Sequence, residues 1–455
     1  MADITTVNPA TGDALASYAY HTGAETEAIL ASAADAFAHH RTTSFAERAE
    51  AMQRLADGLD AEKHDLGALM TREMGKPIGQ AVAEVEKCVW VCRYYAERAE
   101  AQLAEEPVET EAAKSRVVYQ PLGAVVAVMP WNFPLWQAFR FAAPTVMAGN
   151  VGVLKHAERV QGCAEAMERL FREAGFGPGV FQNLRVPHER FEAVVADRRV
   201  RGVTLTGSVK AGRAVAALAG QHLKPTVLEL GGSDPFIVLA DADLDRAVEV
   251  GVQGRTQNNG QSCIAAKRFV LEQPIAEAFT ERFVEAMEAL AVGDPMDEAT
   301  DVGPLARADL RDTVHDQVER AVAGGADLLA GGQPLDGAGF YYPPTVLGGV
   351  ERGTVAFEEE IFGPVASLVV AADADEAVDL ANDTTFGLGG AVFTEDAAKG
   401  EAIARRLDCG CAFVNDLVKS HPHLPFGGIK DSGYGRELSK LGIRAFVNAK
   451  TLWVT

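Results

Sequence analysis

Short apolar runs alternate with helical segments along most of the chain, and this alternation constrains the fold more than any other feature. Ala124–Met129 is a continuous apolar run, and the spacing after it predicts a helix over residues 135–147. Strands that are apolar on both faces are typical of a buried parallel sheet. Because strands and helices keep alternating, we expect an α/β fold in which crossover helices cover the sheets.

The predicted elements form two alternating blocks with no low-complexity linker between them. Residues 24–104 come before the first block and are predicted to be mostly helical. The predicted strands are 124–129, 151–154, 203–206 and 227–230 in the first block, and 236–239, 268–272, 366–370 and 390–394 in the second. Two further strands, 115–120 and 450–455, are predicted outside both blocks. The sequence therefore predicts two open parallel α/β sheet domains, packed together, with a small β-extension.

The charge of the chain excludes some classes of partner. Its 455 residues carry a formal net charge of −22, spread along the sequence, which disfavours nucleic acid and anionic membranes as partners. Adaptation to high salt is a further hypothesis for this acidity. No run of eighteen uncharged apolar residues is present, so we expect no membrane span. The Met1–Pro9 segment has neither the basic start nor the apolar core of a targeting peptide.

The six cysteines do not form a disulfide framework, and none has the CxxC spacing of a zinc site. His421 and His423 lie in a proline-containing loop without an obvious third ligand, so no metal is expected there. Reduced thiols favour a cytoplasmic location.

One cysteine stands in a distinctive setting. Cys263 lies in a polar, glycine-bearing loop just before the apolar run Phe269–Leu271. Such a loop leaves one side of the thiol open and surrounds it with backbone amides, which favours a nucleophilic thiolate. Loop cysteines without chemistry are also common, so the placement alone leaves both interpretations open. Because Ala265 follows two residues later, we expect no vicinal disulfide at this position.

Seven short motifs, spread from the first block to the end of the second, carry a family resemblance. They are Pro130–Pro134, Leu154–Glu158, Leu205–Ser208, Leu228–Gly232, Gly260–Cys263, Glu359–Pro364 and Pro425–Lys430. Their order and spacing resemble the aldehyde dehydrogenase superfamily from end to end. The segment 260–269 is most similar to the succinate-semialdehyde dehydrogenase branch. The resemblance implies the aldehyde dehydrogenase-like version of the predicted α/β fold.

The resemblance implies three catalytic residues. Cys263 would attack the aldehyde, because an sp² aldehyde must become an sp³ adduct before it can lose a hydride. The amide of Asn132 and the backbone N–H of Cys263 would receive the negative oxygen. Glu229 would activate the water that hydrolyses the thioester, and burial between leucines would raise its pKa. A turn residue and an ion-paired carboxylate are the ordinary alternatives for Asn132 and Glu229.

The chain lacks GxGxxG, so any dinucleotide site is not of the standard fingerprint type. By resemblance, the cofactor residues are Trp131, Lys155, Glu158, Gly207, Ser208, Leu230, Gly231, Glu360 and Phe362. Gly207 and Ser208 begin a predicted helix, whose N–H groups can face a pyrophosphate. A carboxylate at Glu158 would accept a hydrogen bond from a free ribose 2′-hydroxyl and repel a 2′-phosphate. We therefore expect NAD rather than NADP.

A semialdehyde with a terminal carboxylate needs a cation in its pocket. Arg140 lies eight residues past Asn132 on a predicted helix and is the first candidate. Ser420 would add a hydroxyl, as in similar enzymes, and Arg255 is a weaker alternative. A structural ion pair remains the other interpretation of each arginine.

The resemblance thus implies NAD-dependent oxidation of succinate semialdehyde to succinate through a thiohemiacetal and a thioester on Cys263. Another semialdehyde, a neutral aldehyde, a cofactor-independent thiol esterase and a non-catalytic member of the fold remain alternatives. The implied domains are 1–104 with 122–231 for NAD binding, and 232–435 for catalysis. Segments 105–121 and 436–455 would be oligomerisation strands. Because each would leave an unpaired edge in a monomer, we expect a homodimer or homotetramer.

Overall fold

The computed structural model describes residues 4–455, in which fifteen helices and eighteen strands are arranged in four sheets. The helices are α1 Gly23–His40, α2 Phe45–Ala61, α3 Lys63–Met74, α4 Ile78–Gln102, α5 Trp136–Met147, α6 Gln161–Glu173, α7 His188–Ala196, α8 Val209–Gln221, α9 Leu244–Thr256, α10 Gln273–Glu288, α11 Ala308–Ala323, α12 Val355–Glu358, α13 Ala374–Asn382, α14 Ala397–Ala404 and α15 Ser439–Ile443. The strands are β1 Ile4–Val7, β2 Ala14–Tyr18, β3 Glu106–Pro107, β4 Lys114–Pro121, β5 Ala124–Met129, β6 Val151–His156, β7 Phe181–Asn183, β8 Val200–Thr206, β9 Thr226–Glu229, β10 Asp234–Val238, β11 Ala266–Glu272, β12 Asp327–Ala330, β13 Thr345–Gly348, β14 Val365–Ala371, β15 Gly389–Phe393, β16 Cys411–Val414, β17 Gly433–Tyr434 and β18 Val447–Val454.

The first large sheet has six strands in the order β17-β9-β8-β5-β6-β7. All neighbours are parallel except β17, which runs antiparallel to β9. In the central strand β5, Ala127 pairs with Leu154 on one side and Thr204 on the other. Because β5 is bonded on both edges and buried on both faces, it needs the continuous apolar sequence that predicted it. The carboxyl ends of the parallel strands lie along one edge of the sheet. Asn132 follows β5 there, Lys155 lies near the end of β6, and Glu229 is the last residue of β9.

The second large sheet has seven strands in the order β12-β13-β14-β11-β10-β15-β16. Only β12 is antiparallel to its neighbour, and the remaining pairs are parallel. In one core cluster the ring centroid of Phe269 lies 5.0 Å from that of Phe236 and 4.7 Å from that of Phe283. The predicted α/β class with two parallel sheets is confirmed.

The third sheet joins the two segments predicted to lie outside both blocks. Strand β18 pairs antiparallel with β4 over its whole length, and β3 borders β4 on the other side. The end of β18 is open to solvent, with Trp453 and Val454 about half exposed. The domain bounds, the oligomerisation role of these strands and the oligomeric state stay predictions. The fourth sheet is the small antiparallel hairpin β1-β2.

No helix within residues 4–455 combines the length and the apolar character needed to cross a bilayer. Met1–Pro9 was expected not to be a targeting peptide. Residues 1–3 of this segment lie outside the described residues.

Candidate active site

The loop that carries Cys263 is fixed by side-chain amides. Asn258 and Asn259 both adopt a positive φ of 56°, a conformation that asparagine tolerates better than most residues. The Asn258 amide donates to the carbonyls of Asn132 (2.7 Å) and Gln261 (2.9 Å). The Asn259 amide donates to the carbonyl of Pro304 at 2.9 Å. These bonds hold the loop against the segment that follows β5.

The cysteine loop packs closely against two other motifs, and a glycine lies at each contact. Gly260 has φ +72°, and a Cβ there would lie 2.4 Å from the carbonyl oxygen of Gly363. A Cβ on Gly232 would lie 2.6 Å from the carbonyl oxygen of Cys263. Both positions therefore require glycine. The segments 228–232 and 359–364 consequently lie directly against the cysteine loop.

A cavity of about 400 Å³ opens between the two large sheets beside Cys263. Nine residues predicted from the sequence line it: Trp131, Asn132, Gly207, Ser208, Leu230, Gly231, Cys263, Glu360 and Phe362. Gln137, Thr206, Arg307 and Leu310 also line it and were not predicted. Thr206 lies within the motif Leu205–Ser208, but no local pattern distinguishes Gln137, Arg307 and Leu310 from ordinary residues. Cys263 and Asn132 therefore face one common space.

Asn132 is almost completely buried, and its amide nitrogen donates to the carbonyl of Gln261 at 3.0 Å. An amide NH₂ has two N–H groups, so one remains for a ligand. Within residues 4–455 the backbone N–H of Cys263 makes no hydrogen bond. The site thus holds two unused donors beside the sulfur.

Burial raises the pKa of the Cys263 thiol to about 12. The positive charges of Arg140 and Lys267 lower it, and the carboxylates of Glu360 and Asp234 raise it. The resting sulfur is therefore a neutral thiol and not the thiolate that its loop suggested. A base or a bound ligand must remove the proton before the sulfur can attack.

Glu229 closes strand β9 and is buried, and neither carboxylate oxygen has a hydrogen-bond partner in residues 4–455. Burial raises its pKa well above the ordinary value, and the nearby Glu437 carboxylate adds to this. Arg140 and Arg436 act in the opposite direction. Glu229 does not line the cavity, although the next two residues do. Burial as the cause of the raised pKa agrees with the prediction from the flanking leucines.

Glu360 is held in place by its neighbours. Its carboxylate accepts from the backbone N–H of Gly232 at 3.1 Å and lies 3.4 Å from the ammonium of Lys267. That ammonium also donates to the carbonyl of Cys263 at 2.9 Å. Lys267 therefore links the cysteine loop to Glu360, a role the sequence did not reveal. Across the cavity, Trp131 and Phe362 meet edge to face at 6.0 Å.

Lys155 and Glu158 lie at the end of β6. The Lys155 ammonium is mostly buried, does not line the cavity and makes no hydrogen bond or ion pair within residues 4–455, although it lies 6.0 Å from the centroid of the Phe191 ring. Glu158 begins a short 3-10 helix, and its carboxylate accepts a hydrogen bond from the Tyr20 hydroxyl. The next residue, Arg159, has a buried guanidinium nitrogen without a partner in the described chain. The Glu158 carboxylate is thus already bound by Tyr20 and lies within electrostatic range of Lys155.

Ser208 caps the N-terminus of α8, because its hydroxyl accepts from the backbone N–H of Ala211 at 3.2 Å. The first N–H groups of the helix remain available at the cavity.

The three residues predicted to bind the substrate have different hydrogen-bond and ion-pair partners in the structure. Arg255 is fully buried and donates to the carbonyls of Gly260 (2.6 Å) and Ala266 (3.2 Å). This geometry supports the cysteine loop and disfavours Arg255 as a ligand for a substrate carboxylate. Arg140 lies on α5 as predicted, but it is in ion-pair contact with Glu437. Its Cζ also lies 4.6 Å from the ring centroid of Phe426.

Ser420 is buried, and its hydroxyl oxygen accepts from the Lys87 ammonium at 2.9 Å and from the Trp136 indole N–H at 3.1 Å. Neither partner was predicted, since Lys87 lies 333 residues away in sequence. No group of three histidine, cysteine or acidic side chains in residues 4–455 is placed to hold a metal ion.

Comparisons with known proteins agree with this geometry. The model of the Aldehyde dehydrogenase family matches residues 2–452. The chain is 53% identical over 455 residues to a protein of Mycolicibacterium paratuberculosis named succinate-semialdehyde dehydrogenase, NADP(+), covering 99% of this chain and 96% of that relative. It is 50% identical over 451 residues to a Synechocystis protein named probable succinate-semialdehyde dehydrogenase, NADP(+), covering 99% of each.

A solved structure matches over nearly the whole chain. The crystal structure of succinic semialdehyde dehydrogenase from Streptococcus pyogenes, in complex with NADP+ as the cofactor, has a TM-score of 0.97 at 37% identity and covers 99% of both chains.

The predicted NAD preference is wrong. It is contradicted by the NADP(+) in the names of these relatives and by the NADP+ bound in the S. pyogenes structure. The structure gives a physical reason why Glu158 does not decide the cofactor. Its carboxylate is bound by Tyr20 and has Lys155 and Arg159 on either side in sequence. The negative charge of Glu158 is therefore not isolated, because the Tyr20 hydroxyl and the Lys155 ammonium both lie close to it.

Proposed function

The chain belongs to the aldehyde dehydrogenase family, and from this premise we propose that it oxidises succinate semialdehyde to succinate with NADP⁺. The observation that carries the proposal is that Cys263 and Asn132 line one cavity, with two hydrogen-bond donors unused beside the sulfur. The substrate and cofactor are inferred from the names of relatives at least 50% identical over nearly the whole chain.

In the first step, the Cys263 sulfur bonds to the aldehyde carbon as its S–H bond breaks, and the proton passes to solvent. The carbonyl oxygen becomes negative, and the free N–H of Asn132 and the backbone N–H of Cys263 stabilise it. Donors fixed in a site that excludes water stabilise such an oxygen better than solvent does. The neighbouring positive charges of Arg140 and Lys267 also favour ionisation of the sulfur.

The residues present fit a nicotinamide cofactor. Lys155 is a buried cation without a hydrogen-bond or ion-pair partner in the described chain, which suits ribose hydroxyls. The N-terminus of α8 at Ser208 suits a pyrophosphate, and the fixed carboxylate of Glu360 suits the second ribose. Trp131 and Phe362 supply apolar surface for the ring. A nicotinamide held by these residues would supply the hydride acceptor for the adduct on Cys263.

In the second step, water attacks the thioester carbon and the sulfur leaves. Glu229 takes a proton from this water. A carboxylate with a raised pKa is a stronger base than an ordinary one, provided that it is ionised when needed. Its unpartnered oxygens leave it free to accept the proton.

The direct test is to mix the purified protein with NADP⁺ and succinate semialdehyde and follow the absorbance of NADPH. We expect turnover with the wild type and none above background with Cys263→Ala, because the sulfur forms the covalent intermediate. Butanal, which lacks the carboxylate, serves as the comparison substrate and should give a lower kcat/KM. Equal activity of the Cys263→Ala variant would refute the mechanism, and a preference for butanal would refute the substrate.

Cofactor choice gives a second prediction. Glu158→Gln should raise kcat/KM for NADP⁺ about fivefold, on the order of 1 kcal/mol, because one partly screened negative charge is removed beside the phosphate. Tyr20→Phe should act in the opposite direction, since it releases the Glu158 carboxylate. Steady-state kinetics with both cofactors would measure this, and the NAD⁺ values should change less than twofold. Parallel changes with both cofactors would contradict a role in phosphate recognition.

A further inference from the structure

Lys267 is a buried cation behind the cysteine loop. It lies on strand β11, only 3% of the residue is exposed, and it does not line the active-site cavity. Its ammonium donates to the carbonyl oxygens of Ser262 and Cys263, both at 2.9 Å. These carbonyls belong to the two peptide groups that flank the Cα atom of Cys263. One ammonium therefore holds the backbone on both sides of the nucleophile.

The hydrogen bond to Ser262 also sets the direction of a donor. The carbonyl of Ser262 and the N–H of Cys263 belong to one peptide group, and no peptide bond in residues 4–455 is cis. In a planar trans peptide the C=O and N–H bonds point in opposite directions. Because the carbonyl points toward the Lys267 ammonium, the N–H of Cys263 points away from it. That N–H has no acceptor in the described chain.

A second hydrogen bond restrains the same peptide group less strongly. The Ser262 carbonyl also accepts from the backbone N–H of Ala265, at 3.2 Å. A hydrogen bond from a charged donor is roughly twice as strong as one between neutral groups. The bond from Lys267 is both charged and shorter, so it is the stronger restraint on the Ser262 carbonyl.

Glu360 supports the ammonium in this position. An ammonium has three N–H groups, and the two carbonyls use two of them. The Glu360 carboxylate lies 3.4 Å from the Lys267 nitrogen on the remaining side. Burial lowers the pKa of Lys267, and the Glu360 carboxylate opposes this shift. Glu360 therefore favours the charged form that binds the two carbonyls.

We propose that Lys267 is a positioning residue: by holding the Ser262 carbonyl, it aims the Cys263 N–H at the oxygen that becomes negative when the sulfur bonds to a carbonyl carbon. The N–H and the Asn132 amide then reach that oxygen together, and Lys267 itself does not touch the substrate. The inference rests on the proposed function, because the oxygen is that of the adduct on Cys263.

Two reactions of the Cys263 thiol separate this role from an effect on the thiol itself. With p-nitrophenyl acetate the sulfur bonds to the ester carbon, p-nitrophenolate leaves, the thiol proton passes to solvent, and the carbonyl oxygen is transiently negative. With iodoacetamide the sulfur displaces iodide from a saturated carbon, and no oxygen becomes negative. Both reactions use the ionised sulfur and neither needs NADP⁺. The ratio of the two rate constants therefore cancels changes in the ionisation of Cys263 and excludes effects on cofactor binding.

We expect the ratio of acylation to alkylation to fall at least tenfold in Lys267→Met, because one oxyanion donor supplies a factor of about 10²–10³. Asn132→Ala removes the other donor and should lower the ratio as well. Lys224→Met is the matched control, since Lys224 also binds two backbone carbonyls, those of Asp197 and Val200. It lies at the opposite, N-terminal ends of β8 and β9, and its loss should leave the ratio within twofold.

Peptide mass spectrometry would locate each label on Cys263 and would also check the fold. Cys88, Cys92 and Cys163 are buried and are labelled only when the chain unfolds. If Lys267→Met exposes them, Lys267→Gln takes its place; its neutral amide binds the carbonyls more weakly, and the ratio should fall at least threefold.

An unchanged ratio in a folded variant would refute the role of Lys267, and the proposed function would stand as long as the wild type forms NADPH from succinate semialdehyde. If the wild type forms no NADPH, the proposed function fails whatever the ratio shows.

Discussion

Replacing Glu229 with Gln should lower kcat by about 10²- to 10⁴-fold, the range typical of losing a general base. The first half of the reaction should survive, because Asn132 and the Cys263 N–H remain in place to stabilise the adduct. Rapid mixing with NADP⁺ and succinate semialdehyde should therefore give a burst of NADPH close to one equivalent, followed by almost no turnover. Intact-protein mass spectrometry should show a succinyl group on the variant.

The controls separate the two halves of the reaction. Cys263→Ala should give neither burst nor adduct, and the wild type should turn over without accumulating the adduct. Multiple turnovers of Glu229→Gln at the wild-type rate would show that another group activates the water.

The same substitution makes a prediction about stability. The folded protein holds the proton of Glu229 to a higher pH than the unfolded chain, in which a glutamate titrates near about 4.3. Its contribution to stability is therefore fully present at low pH and is lost as pH rises through the folded pKa. Glutamine carries no charge at any pH. Relative to the wild type, Glu229→Gln should thus become progressively more stable between pH 5 and pH 8, measured by denaturant unfolding. A difference that is constant with pH would contradict the raised pKa.

Much of the fold could be predicted because buried parallel strands have a strong local signature. Strand β5 has the predicted bounds, Ala124–Met129, and the predicted helical region 24–104 contains α1 to α4. The hairpin β1-β2 was missed because β2, Ala14–Tyr18, is largely exposed and has no apolar alternation. Helix α14 was missed for a similar reason, since it is only eight residues long and buries only two of them.

The site residues also divide into those that local sequence patterns reveal and those that they do not. Residues within local motifs, such as Asn132, Cys263 and Glu360, could be predicted because each motif keeps its own spacing. Partners that come from distant parts of the chain could not. Glu437 reaches Arg140 from near the C-terminus, and Tyr20 reaches Glu158 from 138 residues away.

These distant partners explain why the charges of Glu158 and Arg140 could not be judged from the sequence. Glu158 alone suggested a repulsive carboxylate, and its contact with Tyr20 was invisible in the sequence. Arg140 alone suggested a free cation, and its contact with Glu437 was equally invisible. A charged residue can be located from a motif, but whether its charge is available depends on what the rest of the fold places beside it.

We expect a large loss of stability when a buried ion pair next to the active-site segment is broken. Lys76 and Glu84 are in contact, and both side chains are almost fully buried. Glu84 also accepts from the backbone N–H groups of Leu135 and Trp136, both at 2.9 Å, where α5 begins. The Lys76 ammonium lies 4.1 Å from the centroid of the Phe133 ring. The pair therefore positions the segment that carries Asn132 and Trp136.

Lys76→Met should destabilise the protein by about 3–5 kcal/mol, because it leaves the Glu84 carboxylate buried without its cation. The midpoint of urea unfolding at pH 7 would measure this. The exposed pair Lys63–Glu86, at 3.0 Å, supplies the matched control, and Lys63→Met should cost no more than about 1 kcal/mol. The double variant Lys76→Met/Glu84→Gln should recover part of the loss, since neither charge then remains buried. If Lys76→Met unfolds at the same urea concentration as Lys63→Met, the pair does not hold this part of the fold.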